Sequence, residues 1–157
     1  MTKAIYILVP YWMGDFKAQY LPVARHTWRL LMLDLAEGTP MERMGALCRA
    51  LADEVAAVRA DGNLPVVMAA DCTASIGVLA GLQQDLTDLS LVWYDAHGDF
   101  NTHETTPSGF IGGMPLAMLC GRGEQAIVER AGAGVVPPRL PVVARVEVHD
   151  RSRAVAS

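Results

Sequence analysis

The sequence has few cysteines, no excess of positive charge and no long hydrophobic run. Its three cysteines, Cys48, Cys72 and Cys120, are an odd number without CxxC spacing, which excludes a disulfide scaffold. The longest apolar stretches run about seven residues, well short of the roughly 18 that suggest a membrane span. Lysine and arginine number 13 against 17 aspartates and glutamates, a net charge of −4. This balance excludes a basic surface for nucleic acid or anionic lipid.

What the sequence does have is a large apolar fraction. Hydrophobic residues make up 52% of the 157 positions, and the mean hydropathy is +0.24. The chain is therefore too apolar to be disordered and long enough to bury one core, so residues 1–157 are expected to form a single domain. The start of the chain lacks the charged and apolar regions of a signal peptide, which predicts a cytoplasmic, reducing location.

Apolar runs alternate with helical periodicity, which predicts an α/β fold with a mostly parallel sheet. One helix has a clear start, because Thr39, Pro40 and Glu42 form a T-x-x-E capping box with proline at the first helical position. Strands are expected at 4–9, 64–70, 89–94 and 142–148, and helices at 22–35, 39–61, 76–84, 115–119 and 124–131.

The strongest chemical signal directly follows the third strand, at Asp95-Ala96-His97-Gly98-Asp99. Side chains at i, i+2 and i+4 of an extended chain project to one side, so two carboxylates and one imidazole converge. Such a set suits Mn²⁺, Zn²⁺ or Fe²⁺, and open α/β sheets place their sites at the carboxyl ends of strands. The alternative is a solvated loop, since Asp and Gly are common in turns.

Two further segments bear on this site. Cys72, in the turn after the second strand, could add a metal ligand if that strand lies beside the third, although a lone cysteine is usually a small buried hydrophobe. The segment 101–109 is dense in hydroxyl and amide groups that could orient a polar substrate, or it is an ordinary polar loop. His103 in that segment is expected to be solvated.

Together these residues resemble the ureohydrolase family of arginases and agmatinases. The likeness rests on Asp95-Ala-His97-Gly-Asp99-Phe-Asn101-Thr102, which corresponds to the family's D-A-H-x-D-x-N motif, and on the Thr-Pro-Ser-Gly loop behind it. Upstream, Asp71-Cys72-Thr73 stands in the place of the family's G-G-D-H-S element. The resemblance implies a three-layer α/β/α sandwich around a parallel sheet, assembled as trimers or hexamers.

The resemblance also implies a binuclear manganese site. A metal-bound hydroxide would attack the carbon of a guanidino or amidino substrate. Carried over position by position, Asp95, His97, Asp99 and Cys72 would bind metal, and Asp99 would also act in catalysis by moving a proton. Asn101 and Ser108 would bind the far end of the substrate.

Three departures from the family pattern qualify this expectation. Cys72 replaces a histidine ligand, as in variants closer to N-hydroxyarginine hydrolysis, and Gly112 stands where the family has a proton-shuttle histidine. The later D-x-D element, which supplies two more carboxylates, does not occur. Likeness ends between about residues 122 and 138, and 139–157 form a divergent tail, so the domain is expected to be C-terminally truncated or frame-shifted.

The sequence therefore predicts a metal-dependent hydrolase of C–N bonds whose second metal site is incomplete. The first alternative is a catalytically degenerate fragment that serves as a binding or assembly module. A second alternative, a binuclear phosphoesterase, needs further histidines in later loops, where the chain after Gly113 offers only His149. No nucleic acid or membrane partner is expected.

Overall fold

The computed structural model describes residues 1–136 and the backbone of 142–145. Within these residues four strands precede the first α-helix, and strands and helices then mostly alternate, with short 3₁₀ helices at Ala18–Val23 and Ile111–Gly113. None of the described helices is long and apolar enough to cross a membrane. The strands are β1 (Ala4–Val9), β2 (Tyr11–Trp12), β3 (Asp15–Phe16), β4 (Arg29–Leu30), β5 (Leu64–Ala69), β6 (Val92–Asp95) and β7 (Val142–Arg145), and the α-helices are α1 (Pro40–Ala60), α2 (Ala74–Leu82), α3 (Pro115–Leu119) and α4 (Ala126–Ala131).

The strands form a mostly parallel arrangement, as the sequence predicts. One sheet has the order β4-β1-β5, with all neighbours parallel, and β6 pairs with β7 in a second parallel pair. β2 and β3 form an antiparallel hairpin. Among the described strands β5 and β6 are not hydrogen-bonded neighbours, so the condition under which the sequence allowed Cys72 to be a ligand is not met by strand pairing.

The sheet carries helices on one face. Ile7 and Val9 of β1 and Trp93 of β6 belong to one buried cluster with residues from all four α-helices, whereas Tyr6, Val66 and Met68 lie outside it. Alternation of side chains along a strand explains the division, since Tyr6 pairs with Val66 and their neighbours in sequence point the other way. The α/β fold is thus confirmed, and the described residues provide one helical layer.

The start of α1 agrees with the predicted capping box. The Thr39 hydroxyl accepts a hydrogen bond from the Glu42 amide at 3.2 Å, and the Glu42 carboxylate accepts one from the Thr39 amide at 2.8 Å. These two bonds satisfy backbone donors that the first helical turn leaves free. The helix ends at Ala60 with Asp61 as its C-cap, and Gly62, which follows, adopts a left-handed φ of 72°.

The helix expected at 22–35 is wrong. The structure has a 3₁₀ helix over Ala18–Val23, then the two-residue strand β4 and an extended segment. Leu31, Leu33 and Leu35 pack against the core, while Leu30 and Met32 are exposed. This period of two belongs to an extended chain.

Other expected boundaries shift by a few residues. β6 begins at Val92 instead of Leu89, and α4 begins at Ala126 instead of Glu124. Of the expected final strand, 142–145 is confirmed. Residues 146–148, His149 and most of the divergent tail lie outside the described residues.

Candidate metal centre

The loops that follow β5 and β6 meet although the two strands are not paired. The Cys72 thiol donates to Asp95 Oδ2 across 3.8 Å. One ligand atom each from Cys72, Asp95 and Asp99 lies within 4.8 Å of the other two, a spacing that one metal ion can bridge. Three of the four predicted metal ligands are therefore brought together.

Asp99 occupies a conformation that costs free energy. Its φ is +44°, in the left-handed region that side-chain-bearing residues rarely adopt. The backbone carbonyl of Asp99 accepts hydrogen bonds from the amides of Leu116 and Ala117 at 3.0 and 3.3 Å, so the start of α3 holds the residue in place. Its side chain is buried, with 7% of the residue exposed, and Oδ2 has no hydrogen-bond partner among the described residues.

His97 lies beside this cluster and not within it. Asp95 Oδ1 accepts a hydrogen bond from the His97 backbone amide at 2.9 Å, and His97 Nδ1 lies 3.6 Å from the same oxygen. The His97 side chain is 83% exposed. The imidazole is therefore free to rotate, and its predicted role as a ligand stays a prediction.

Negative charge dominates the electrostatics of the cluster. Partial burial of its side chain and the carboxylates of Asp99, Asp95 and Asp71 raise the pKa of the Cys72 thiol to about 12. Burial and the charge of Asp95 raise the pKa of Asp99, an effect that Cys72 and His97 partly offset. Both shifts have the same two causes: burial disfavours the charged form of each group, and each group would add negative charge beside carboxylates that already carry it.

A divalent cation fits these residues. The buried Oδ2 of Asp99 has an open lone pair, and a buried polar atom without a partner is costly unless a ligand completes it. No lysine or arginine lines the adjoining pocket in the described part of the chain. Two carboxylates and a thiolate form a donor set that transition-metal ions accept.

The cluster opens into a cavity of about 680 Å³. Asn101, another predicted site residue, lines it. Ser108 is not part of the described lining, and its hydroxyl instead accepts a hydrogen bond from the Phe110 amide at 3.3 Å. The lining residues are Trp12, Cys72, Ala96, His97, Gly98, Asp99, Asn101, Phe110, Gly112 and Gly113.

Trp12 and Phe110 form an aromatic wall of this cavity. Their ring centroids are 5.6 Å apart and their planes meet at 22°, a stacked pair. The Phe110 ring lies over Gly112, where an added Cβ would come within 2.5 Å of it. The space that a side chain at 112 would need is thus filled by the ring.

Sequence reasoning gave no role to Asp71, Trp12 or Phe110. The Asp71 carboxylate is buried and accepts hydrogen bonds from the Thr73 amide at 2.8 Å and from the Met13 amide at 3.2 Å. It thereby ties the β2–β3 hairpin, which carries Trp12, to the loop that carries Cys72. The position of Asp71 directly after a strand could have identified it as a site residue. Nothing in the sequence indicates that Trp12 stacks on Phe110.

Known proteins share both the sequence and the fold of this chain. Arginase from Bacillus subtilis is 45% identical over 82 residues, which cover 52% of this chain and 28% of that protein. Arginase from Bacillus caldovelox is 48% identical over 71 residues, which cover 45% of this chain and 24% of that protein. The chain therefore matches about a quarter of the length of these relatives.

The crystal structure of arginase from Bacillus cereus superposes with a TM-score of 0.73 at 28% sequence identity. The match covers 90% of this chain and 56% of the solved chain. A sequence model of the Arginase family matches residues 11–139. Since this match takes in most of the sequence, the chain belongs to the arginase family.

Proposed function

We propose that this chain carries part of an arginase-like metal site that hydrolyses a C–N bond of a guanidino or amidino compound. The observation that supports this most directly is Asp99 Oδ2, a buried carboxylate oxygen without a partner beside Asp95 and Cys72. Membership of the arginase family supports the reaction class, and the cluster of Cys72, Asp95 and Asp99 supports the proposed location of the site. A manganese ion and a cytoplasmic location are part of the proposal.

The residues that would hold the cation are Cys72, Asp95 and Asp99, with His97 able to join by rotating its exposed imidazole. When bound, the cation supplies positive charge that lowers the pKa of a coordinated water and stabilises developing negative charge. Asp99 can hold a proton at Oδ2, because burial and Asp95 raise its pKa. It is thus suited to exchange protons with a reacting group at this position.

The pocket favours a cationic, planar substrate group. Its described lining contains two stacked aromatic rings, the carboxylate of Asp99 and the imidazole of His97, and neither lysine nor arginine. Aromatic faces attract guanidinium-type cations. The carboxylates create a negative electrostatic potential, which also favours a cationic group. Asn101, which lines the cavity, would orient the remainder of the substrate by hydrogen bonding; a similar role for Ser108 requires the 106–110 turn to rearrange.

The loop sequence argues against ordinary arginase turnover. Position 112 is glycine, and the Phe110 ring fills the volume above it. No side chain at 112 can therefore shuttle protons, and that task falls to Asp99 or to the exposed His97. A substrate whose leaving group needs less protonation than that of L-arginine suits such a site.

The test measures metal binding and product formation on the same samples. Mn²⁺ binding to the full chain is followed by electron paramagnetic resonance. Product release is assayed as urea from L-arginine and agmatine, and as hydroxyurea from N-hydroxy-L-arginine. Asp95→Asn should weaken Mn²⁺ binding at least about tenfold, as expected for a lost ligand. Asp88→Asn, which changes an exposed aspartate in a turn, is the matched control. Equal Mn²⁺ affinity in wild type and Asp95→Asn would refute the site.

A second candidate function has its own observation. The sheet face opposite the α-helices is apolar and exposed in the described residues, with Met68 at 41%, Val92 at 66% and Tyr94 at 74% exposure. Exposed apolar patches of this kind mark interaction surfaces. If the chain binds Mn²⁺ weakly and releases neither urea nor hydroxyurea, the binding or assembly module predicted as the alternative is the better interpretation.

A further inference from the structure

The hairpin that carries Trp12 turns through a strained residue. Trp12 of β2 pairs with Asp15 of β3, so Met13 and Gly14 form a two-residue turn, and their φ angles are +51° and +80°. Turns of this kind favour asparagine, aspartate or glycine at the first central position, because other side chains rarely tolerate a positive φ. The conformation of Met13 is therefore held by contacts outside the turn.

The Asp71 carboxylate provides such a contact. Its Oδ2 accepts a hydrogen bond from the Met13 amide at 3.2 Å, and its Oδ1 accepts one from the Thr73 amide at 2.8 Å. Within the described part of the chain, no other hydrogen bond joins the hairpin, residues 11–16, to the loop at 70–75. The Met13 bond is thus the polar link between the aromatic wall and the loop of Cys72.

The loop keeps its shape without the hairpin. Besides the Thr73 bond, the Asp71 carbonyl accepts from the Ala74 amide at 3.2 Å. The Cys48 thiol of α1 donates to the Thr73 carbonyl across 3.4 Å. These bonds join the loop to α2, which begins at Ala74, and to α1. The loop is therefore the fixed partner, and the turn of the hairpin is the part that Asp71 positions.

The other polar contacts of the hairpin lie on its strands. Arg43 of α1 places Nη1 2.7 Å from Asp15 Oδ1. The Tyr11 hydroxyl donates to the Leu33 carbonyl at 2.9 Å and accepts from the Leu33 amide at 2.7 Å. These contacts attach the strands to α1 and to the segment 31–35. Asp71 acts instead at the turn, on the residue that directly follows Trp12.

The charge of Asp71 indicates that both of its bonds matter. The residue is buried, with 7% exposed, and its charge acts on Cys72 and Asp99. A third carboxylate beside these groups is unfavourable. Asparagine would avoid the repulsion, but it offers one acceptor oxygen where aspartate offers two. A carboxylate is needed at 71 only if each of its oxygens receives its own amide.

We propose that Asp71 is a positioning residue for substrate: through the Met13 amide it holds Trp12 against Phe110, so that the aromatic wall faces the metal ligands. The class of ligand, a planar guanidino cation, rests on the proposed function. Such a cation gains from an aromatic face only when the ring is correctly placed. Trp12 and Phe110 are each about two fifths exposed and stack with centroids 5.6 Å apart, so the wall is formed before a ligand arrives.

The first measurement follows the Trp12 ring itself. The full chain is labelled with 5-fluorotryptophan and studied by fluorine NMR in EDTA, with the Trp12 resonance assigned from Trp12→Phe. Asp71→Asn keeps an oxygen for the nearer Thr73 amide and loses the Met13 bond. It should therefore move the Trp12 resonance most of the way to its position in Phe110→Ala, where the stack is absent. Asp85→Asn, which removes an acceptor of two hydrogen bonds from Arg59, should leave it unmoved.

The second measurement separates positioning from general damage to the fold. Agmatine is titrated into the same samples in EDTA, where no metal supports turnover. Its affinity for Asp71→Asn should fall about threefold or more, the scale of a lost contact between a cation and an aromatic ring. Mn²⁺ affinity, measured without EDTA, should fall far less than in Asp95→Asn, because Asp71 is bonded to backbone amides and not to a ligand side chain.

A wild-type measurement covers the case in which Asp71→Asn does not fold. The Met13 amide should exchange its hydrogen at least about tenfold more slowly than in an unfolded peptide, as a bonded and partly buried amide does. The proposal is overturned if this amide exchanges freely, or if Trp12 keeps its wild-type resonance in Asp71→Asn. It is also overturned if agmatine affinity is the same in the two chains, or if it falls only in parallel with Mn²⁺ affinity. A wild type that forms no product with Mn²⁺ would refute the hydrolytic proposal and leave these results standing.

Discussion

At the scale of single residues, Asp99 is the position where the fold and the site conflict. A left-handed backbone, a buried carboxylate and a nearby like charge are each unfavourable for folding. Residues that combine several unfavourable local features are usually found at functional sites, where a ligand or the reaction needs them. The compensation that the geometry offers is a cation beside Cys72 and Asp95.

Asp99→Asn should stabilise the metal-free chain while weakening Mn²⁺ binding. Asparagine tolerates the left-handed conformation and cannot carry the buried charge. We expect the free energy of unfolding to rise by on the order of 1 kcal/mol at neutral pH, measured by urea unfolding in EDTA. Asp88→Asn is again the control, and a destabilised Asp99→Asn chain would contradict the interpretation.

The pH dependence of that gain has a definite sign. Burial and Asp95 raise the pKa of Asp99 in the folded chain above its value in the unfolded chain. The folded state therefore holds this proton more tightly, and wild-type stability falls as the pH rises from the unfolded pKa through the folded one. The advantage of Asp99→Asn should vanish below about pH 4, near the unfolded pKa of aspartate, and should grow as the pH rises from there through the raised pKa of the folded carboxyl.

Cys72 is exposed, yet it should be a slow nucleophile. Its pKa of about 12 leaves almost no thiolate at pH 8, and the thiolate is the reactive form. Iodoacetamide should alkylate Cys72 at least about tenfold more slowly than an ordinary exposed cysteine, as followed by peptide mass spectrometry. Asp95→Asn, which removes one of the neighbouring charges, should speed the reaction. Rapid alkylation of the wild type would show that the carboxylates do not act on the thiol.

At the scale of elements, much of the local structure could be predicted. Three features act only on residues near them in sequence, so they could be predicted without the fold. They are the capping box at Thr39, the apolar run of β1 and the proline that opens α3. The helix predicted at 22–35 was wrong because apolar residues are frequent enough there to fit both the helical and the extended periodicity. The packing of Leu31, Leu33 and Leu35 against the core selects the extended conformation.

The candidate site was predicted in part for the same reason. Asp95, His97 and Asp99 are close in sequence, so a local motif identifies them. The approach of Cys72 to Asp95 instead depends on where two separate strands end. The Asp71 link to Met13 and the stacking of Trp12 on Phe110 join residues 58 and 98 positions apart. Such contacts depend on the whole fold, and no local pattern specifies them.

The capping box makes a prediction of its own. Thr39→Ala removes the hydroxyl that accepts from the Glu42 amide and leaves that amide without its partner. The free energy of unfolding should fall by about 1 kcal/mol, the usual cost of a lost cap. Thr87→Ala, in an exposed turn, should change it by less than about 0.5 kcal/mol. Equal stabilities in the two variants would show that α1 does not need its cap.

At the scale of the whole molecule, the candidate metal ligands come from two loops that only the folded chain brings together. Cys72 follows β5 and Asp95 ends β6, and the two strands are not paired with each other in the described structure. Folding and metal binding should therefore be coupled, because the unfolded chain has no such cluster to offer.

That coupling can be measured through the pH dependence of Mn²⁺ binding. Because the Cys72 pKa is about 12, ligation must displace the thiol proton, and one displaced proton tightens apparent binding about tenfold for each unit of rising pH. Mn²⁺ at about 100 times its Kd adds roughly 2.7 kcal/mol to the free energy of unfolding, so this stabilisation at fixed Mn²⁺ should grow from pH 6.5 to pH 8.5. Cys72→Ala should bind more weakly and lose the slope, whereas a pH-independent wild type would exclude Cys72 as a thiolate ligand.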